Sequence, residues 1–525
     1  MKKIRKAVLR ALIWTVGAFL SAAIVFTAAS EAWMWRDGSR ARMTTEGPFT
    51  ATEKSLDRHG LPSWFADAKF GIMLRWGLYS VPAFAPAGRT FAERMAGDYD
   101  RAMTRNPYAE DYANAMKDPS SPTAEYHRRH YGTAPYSGFA PEFEAGLEKW
   151  DPEGWAAAFH AAGASYVVIT AKYADGYALW PTSVRNPHAP GFHSERDLVG
   201  ELAKAVRAKG MRFGVYYSGG ADWTFRPGVV RTFGDHAYQP YGEDYRAYAV
   251  AQMRELIERY EPDILWNDVF WPTGHKRLFS LLADYYNTVP EGVVNDRWET
   301  VTLGRQILGW EPVRGVFDAF LKRALPDPEA VDGLGTRKDV PHSDFRTFEH
   351  GSHDTVQEKF WQRDRGIGGS FGWNRAETDA DYASFEEILN DLVNAAANNG
   401  ALMLNIGPGG GEGVIPPGQR DRLKAIGAWM RVNREALDGT RPWRRSVTAT
   451  RDGAKVAFTR KGDVLYATVL GRPEGSVVLE DVVLRGTATH LGTGERAALS
   501  ASEGGTRIAA EALDGSYAPV FRMTP

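Results

Sequence analysis

Two acidic residues stand where an enzyme most readily uses them. Ile264-Leu265-Trp266-Asn267-Asp268 ends an apolar run in a carboxylate just ahead of Phe270-Trp271-Pro272, and Asp344-Phe345-Arg346-Thr347-Phe348-Glu349 ends a later run in another. In a parallel β/α architecture the carboxyl ends of the strands converge on one face, so such acids can meet across a substrate. A carboxylate pair roughly 5 Å apart suits glycoside hydrolysis, one acid serving as nucleophile and the other as acid/base. The aromatic side chains after Asp268 would cover the C–H face of a sugar.

Positioning these acids requires a repeating scaffold, and the chain has one. Apolar runs at Phe70 to Leu74, Tyr166 to Thr170, Arg212 to Tyr217, Ile264 to Asp268, Val293 to Asp296, Asp344 to Glu349, Gly369 to Trp373 and Ala401 to Ile406 read as strands. That number closes a (β/α)8 TIM-like barrel. Helical patterns lie between several of them, including one opened by Asp151-Pro152 and others at Asp197 to Lys209, Tyr245 to Tyr260, Ser384 to Ala397 and Gln419 to Asn433. Two stretches, Tyr79 to Lys149 and Trp298 to Val340, exceed a simple connection and are expected to build or cover the mouth of the barrel. After Arg441-Pro442-Trp443 short alternating runs read as a small antiparallel β-sandwich. The domains are therefore an N-terminal segment over residues 1–32, a linker over 33–52, a catalytic barrel over 53–440 and a C-terminal sandwich over 441–525.

Composition narrows the partner. The 63 Lys and Arg nearly cancel the 65 Asp and Glu, which leaves no field to gather nucleic acid. There is no cysteine, so disulfides, thiolate metal sites and thiol nucleophiles are excluded. The 12 histidines show no metal-ligand spacing, and no metal or other cofactor is expected. Gly407-Pro408-Gly409-Gly410-Gly411 lacks the lysine and serine of a phosphate loop and reads as a βα connection. Lys2, Lys3, Arg5, Lys6 and Arg10 precede a charge-free run from Ala11 to Ser30, which predicts export to the periplasm or the cell exterior. Thr27-Ala28-Ala29 would suit cleavage and the length of the run would suit a membrane anchor, so both fates stay open, as does homo-oligomerisation.

Several blocks resemble the α-L-fucosidases of glycoside hydrolase family 29. They include Lys69-Phe70-Gly71-Ile72 leading to Trp76-Gly77-Leu78-Tyr79, Phe213-Gly214-Val215-Tyr216-Tyr217, Pro262 to Asp268, Asn295-Asp296-Arg297-Trp298 and Leu404-Asn405-Ile406-Gly407-Pro408, in family order from Trp64 to Trp443. The resemblance implies an exo-acting, retaining hydrolase of fucose-containing oligosaccharides or glycoconjugates, with Asp268 as nucleophile and Glu349 as acid/base. It implies further that Arg297 keeps a carboxylate ionised, that Glu110 accepts from sugar hydroxyls and that Trp76 lies at the sugar. Tyr216 is the tyrosine expected at the sugar or the nucleophile, with Tyr217 the alternative.

The chain departs from the family where histidines are expected. Arg75-Trp76-Gly77 replaces His-Trp-Gly, Lys172-Tyr173-Ala174-Asp175-Gly176 replaces Lys-His-His-Asp-Gly, and Asp111 stands where a tryptophan would follow Glu110. Each lost hydrogen bond to a sugar would cost about 1–3 kcal/mol, so a shifted sugar specificity is an alternative to fucoside hydrolysis. A degenerate site that only binds carbohydrate is another. Arg75 and Tyr173 become candidate substrate contacts. Arg75 is expected either to pair with Asp111 or to bind an acidic substituent on the sugar.

Overall fold

The computed structural model describes residues 25–238, 242–332, 340–349, 351, 353–473, 475–509 and 515–524. Most of the charge-free N-terminal run thus lies outside the described residues. Among those described, no helix is long and apolar enough to cross a membrane.

Eight parallel strands form the catalytic barrel: β1 (Phe70–Leu74), β2 (Tyr166–Lys172), β3 (Arg212–Ser218), β4 (Ile264–Asp268), β5 (Val293–Val294), β6 (Arg346–Phe348), β7 (Trp361–Gly366) and β8 (Gly400–Ile406). They neighbour one another in sequence order, and β8 pairs with β1. The seam between β5 and β6 is irregular because side chains replace part of the ladder. Asp344 N donates to Val294 O at 2.9 Å, while Asp344 Oδ2 accepts from Val294 N at 2.7 Å. Asn295 exchanges two bonds with the Asn267 main chain in the same way, so regular strand stops at Val294 although the apolar run suggested Asp296.

The seventh strand differs from the expectation. Gly369 to Trp373 is irregular, and the strand is Trp361–Gly366. Its Gln-Arg-Asp-Arg centre hides it from an apolar-run reading. Gln362 and Asp364 are fully buried, and Arg365 bonds Asp391 at 2.6 Å on the helix layer.

Alternation along the strands sorts the side chains. Met73, Val168, Tyr216, Trp266 and Met403 fill the barrel, and Phe65 plugs its amino end against Tyr166, Phe345 and Phe360. Crossover helices cover the outside. Pro152–Ala161 is typical: Asp151 caps it by accepting from Gly154 N at 2.8 Å, and Trp155, Ala156 and Phe159 face the barrel. Such helices run back from the carboxyl ends of the strands, so each begins at the end where the catalytic loops gather.

Residues 25–38 are helical, and the segment read as a linker is bound along the barrel. Thr44 and Thr45 donate main-chain N–H groups to Asp284 Oδ1, and Phe49 N donates to Asn287 Oδ1. From Arg441 onward the chain forms one eight-stranded antiparallel sheet. The sheet curls until its edge strands meet, where Thr450 bridges Leu479 and Arg451 N donates to Val478 O at 2.9 Å. Val456, Phe458, Val469, Leu479 and Phe521 fill the space so enclosed.

The two insertions meet. Met95 and Tyr99 from the first pack with Leu321, Leu325 and Val331 from the second, with Phe91, Phe233 and Phe317 alongside. Phe91, Met95, Phe233 and Val331 also line a cavity at the carboxyl end of the barrel. The insertions therefore wall the mouth with apolar side chains.

Candidate active site

That cavity, of about 210 Å³, is lined on its polar side by Asp268, Glu349, Arg297, Arg75, Glu110 and Asp111, with Tyr173 and Trp223 among its aromatic walls. Asp268 is the last residue of β4. Its Oδ2 accepts from Tyr216 Oη at 2.6 Å and its Oδ1 from Val269 N at 2.8 Å. Gly219 N and Gly220 N donate to its main-chain oxygen; a Cβ on Gly219 would lie 2.2 Å from Asn267 Oδ1, so only glycine lets this loop close on β4. Val269 holds a φ of 70°, a costly conformation for a β-branched residue. This strain accompanies the turn that places its N–H on the carboxylate.

Burial pushes the Asp268 carboxyl up, but Arg297, Arg75 and the bonds from Tyr216 and Val269 outweigh it and hold the group below the ordinary carboxylate value. Strand alternation decides between the two tyrosines. Tyr216 points into the barrel and meets Asp268, whereas Tyr217 points outward and bonds Gln252 at 2.9 Å.

Glu349 follows β6, and its side chain is 26% exposed. Arg297, just past β5, donates from Nη2 to Glu349 Oε1 at 2.9 Å and from Nε to Thr347 Oγ1 at 2.9 Å. Asp296 in turn accepts from the Thr347 hydroxyl at 2.5 Å. Arg297 therefore pairs directly with Glu349 and acts on Asp268 through its field. Glu110 Oε2 accepts from Ser370 Oγ at 2.9 Å and Gly372 N at 3.1 Å, so the stretch expected to be a strand instead carries partners for this acid.

The expected pairing of Arg75 with Asp111 is not formed. Arg75 lays its guanidinium 4.0 Å over the Tyr216 ring and donates from Nε to Asn405 Oδ1 at 3.1 Å. Asp111 instead accepts from Tyr173 Oη at 2.8 Å and from Asn106 Nδ2 at 2.6 Å. These neutral donors satisfy both of its oxygens, and burial together with Glu110 lifts its carboxyl to about 7. No carboxylate among the described residues lies within ion-pair distance of Arg75, whose guanidinium also bonds the Tyr216 side chain.

Trp76 also sits elsewhere than expected. It points away from the cavity into a cluster with Phe143, Trp150 and Trp155, and its Nε1 donates to Gly410 O at 2.7 Å. Adjacent residues leaving a strand face opposite ways, so Arg75 pointing inward sends Trp76 outward.

Asp364 is the residue that the sequence reading missed. It is fully buried on β7, accepts from Asn405 Nδ2 through one oxygen and leaves the other without a partner. Burial lifts its carboxyl to about 7, against the pull of Arg75. The signal was present as an acid inside a polar run that nonetheless alternates with strand periodicity.

A parallel barrel that brings two carboxylates and an arginine into one cavity at the carboxyl ends of its strands has the arrangement of a glycoside hydrolase. The family model described as Alpha-L-fucosidase matches residues 39–313 and 322–435. Tissue alpha-L-fucosidase of Mus musculus is 31% identical over 440 residues, 82% of this chain and 82% of that protein. The Homo sapiens tissue alpha-L-fucosidase is 30% identical over 455 residues, covering 85% and 84%. A crystal structure of Thermotoga maritima alpha-fucosidase in complex with a mechanism-based inhibitor is similar with a TM-score of 0.76 and 38% identity, over 91% of this chain and 100% of that one. The chain belongs to the α-L-fucosidase family of glycoside hydrolases.

Proposed function

We propose that the protein is an exo-acting retaining glycosidase that hydrolyses α-L-fucosides of oligosaccharides or glycoconjugates outside the cytoplasm. The observation that carries this reading is the placing of Asp268 and Glu349 on one cavity, with Arg297 bonded to Glu349 and acting on Asp268. The names of the relatives, all fucosidases, support the sugar.

In the first step an Asp268 oxygen bonds to the anomeric carbon as the glycosidic C–O bond breaks, and Glu349 gives its proton to the departing oxygen. In the second, Glu349 takes a proton from water, whose oxygen bonds to the anomeric carbon and returns Asp268 as a carboxylate. Tyr216 and Val269 aim the Asp268 carboxylate, and the two arginines favour its ionised form. Glu110, fixed by Ser370 and Gly372, is placed to accept from a sugar hydroxyl. Proton NMR during hydrolysis of p-nitrophenyl α-L-fucoside tests the reading: the α-anomer of fucose should appear first. Initial release of the β-anomer would exclude a double displacement.

A second reading keeps the mechanism and changes the sugar. It is favoured by the Arg75 guanidinium, which lines the cavity with no carboxylate among the described residues in ion-pair distance, a fork suited to two acceptor oxygens or an acidic substituent. A panel of neutral and acidic aryl glycosides separates the two, the first reading requiring that the neutral α-L-fucoside have the highest kcat/KM.

A further inference from the structure

Helix Glu311–Ala324 carries apolar side chains on two faces, and the cavity uses only one. Leu321 and Phe317 pack into the cluster that walls the pocket. Away from that cluster Val316 and Phe320 are 73% and 65% exposed, and just ahead of the helix Trp310 and Ile307 are 68% and 41% exposed. Val316 and Phe320 are four residues apart and share a stripe. Large apolar side chains gathered on a surface mark a contact site.

The rest of the chain says what covers them. The charge-free run Ala11 to Ser30, behind five cations, has about the length of a bilayer core. It leads into the helix over residues 25–38, which is fastened at the cavity end of the barrel. Asp37 accepts from Gly274 N at 2.8 Å at the start of helix His275–Thr288, and Trp33 lies 5.0 Å from the Arg246 guanidinium in the first turn of helix Glu243–Tyr260.

The exposed stripe is fastened at this same end. Asp318 accepts from Thr232 Oγ1 and Gly234 N at 3.0 and 2.9 Å, and Arg314 pairs with Asp235 at 3.1 Å, all in the segment between β3 and helix Glu243–Tyr260. Arg323 in the last turn adds a cation that suits anionic headgroups, next to Lys322, which pairs with Asp100 at 2.6 Å. An exposed tryptophan suits the membrane interface.

We propose that the N-terminal run anchors the chain in a bilayer and that Ile307, Trp310, Val316 and Phe320 rest in the headgroup boundary of that same bilayer. The mouth of the pocket is thereby held at the membrane, where it takes sugars borne on lipids. This last clause rests on the proposed hydrolysis; the surface itself does not.

Because the chain has no cysteine, the variants Val316→Cys, Phe320→Cys and Val483→Cys each offer one labelling site; Val483, on the C-terminal unit, is 73% exposed. Each full-length variant carries an environment-sensitive fluorophore in vesicles of phosphatidylcholine and phosphatidylglycerol. The expected result is blue-shifted emission, quenched by doxyl-labelled lipid, at positions 316 and 320 but not at 483. Labels at 316 and 320 as water-exposed as that at 483, or failure of the full chain to stay with the vesicles, would overturn the proposal. A blue shift seen only in nanodiscs holding two copies would assign the stripe to a second copy and overturn it as well.

Replacing Trp310, Val316 and Phe320 together by serine should lower turnover of a lipid-borne fucoside roughly tenfold in vesicles and leave p-nitrophenyl α-L-fucoside turnover unchanged. Equal turnover of the lipid-borne fucoside by both proteins would overturn the substrate clause. Wild-type protein inactive on both substrates would refute the hydrolytic reading, while the label result still decides the surface.

Discussion

Tyr216→Phe removes one hydroxyl and keeps the ring on which Arg75 lies, 4.0 Å away. Asp268 then loses the 2.6 Å bond to Oδ2 and retains the 2.8 Å bond from Val269 N and the fields of both arginines. A hydrogen bond to a charged acceptor contributes about 1.5–3 kcal/mol, roughly 10- to 150-fold in the proton equilibrium of that carboxyl. Burial raises the Asp268 carboxyl, and the cations and hydrogen bonds more than reverse it. The stability that ionised Asp268 contributes is therefore present above the unfolded value and lost as pH falls through the depressed native one. Activity that needs the ionised form declines on the same side. Losing the Tyr216 bond moves this decline to higher pH. The profile of kcat/KM for p-nitrophenyl α-L-fucoside should show the acidic arm displaced upward in pH and the alkaline arm in place. An acidic arm coincident with that of the wild type would refute the claim that this hydroxyl helps to keep Asp268 ionised.

Three further substitutions probe the groups around it. Arg297→Met and Glu349→Gln break the same 2.9 Å pair, so in urea denaturation their effects should fall short of additivity by about 1 kcal/mol or more; strict additivity would mean that the pair contributes nothing. Asp364, lifted to about 7 by burial, stays protonated in the folded protein over a range where the unfolded chain has ionised, so it penalises folding increasingly as pH rises toward 7. Asp364→Asn should accordingly gain stability relative to wild type progressively between about pH 4 and about pH 7, by on the order of a few kcal/mol, and keep that gain above it; a pH-independent difference would contradict the burial account.

The legible parts of the site are those where apolar periodicity stops at an acid. Asp268 closes a strand of buried side chains, and the parallel scaffold then dictates which end of the barrel it occupies. What was not legible depends on direction rather than on composition. Arg75 and Trp76 are neighbours in sequence, and only the register of β1 decides that the first enters the cavity while the second joins the outer aromatic cluster. Arg75 and Asp111 are both departures from the family pattern, yet neutral donors from Asn106 and Tyr173 satisfy Asp111 and leave the arginine to Asn405. β7 escaped because a barrel interior near its mouth tolerates polar side chains that bond one another. The run Gln362 to Arg365 looks like a surface segment until Asp364 is seen beside Asn405.

The central claim is that Asp268 forms the bond to the sugar. Asp268→Gly assayed with an activated aryl α-L-fucoside tests it most directly. The account predicts that hydrolysis collapses, that added azide restores release of the aryl group, and that the product is the inverted β-fucosyl azide, because azide enters the space left by the carboxylate. Hydrolysis by this variant at a rate near that of the wild type, without azide, would contradict it.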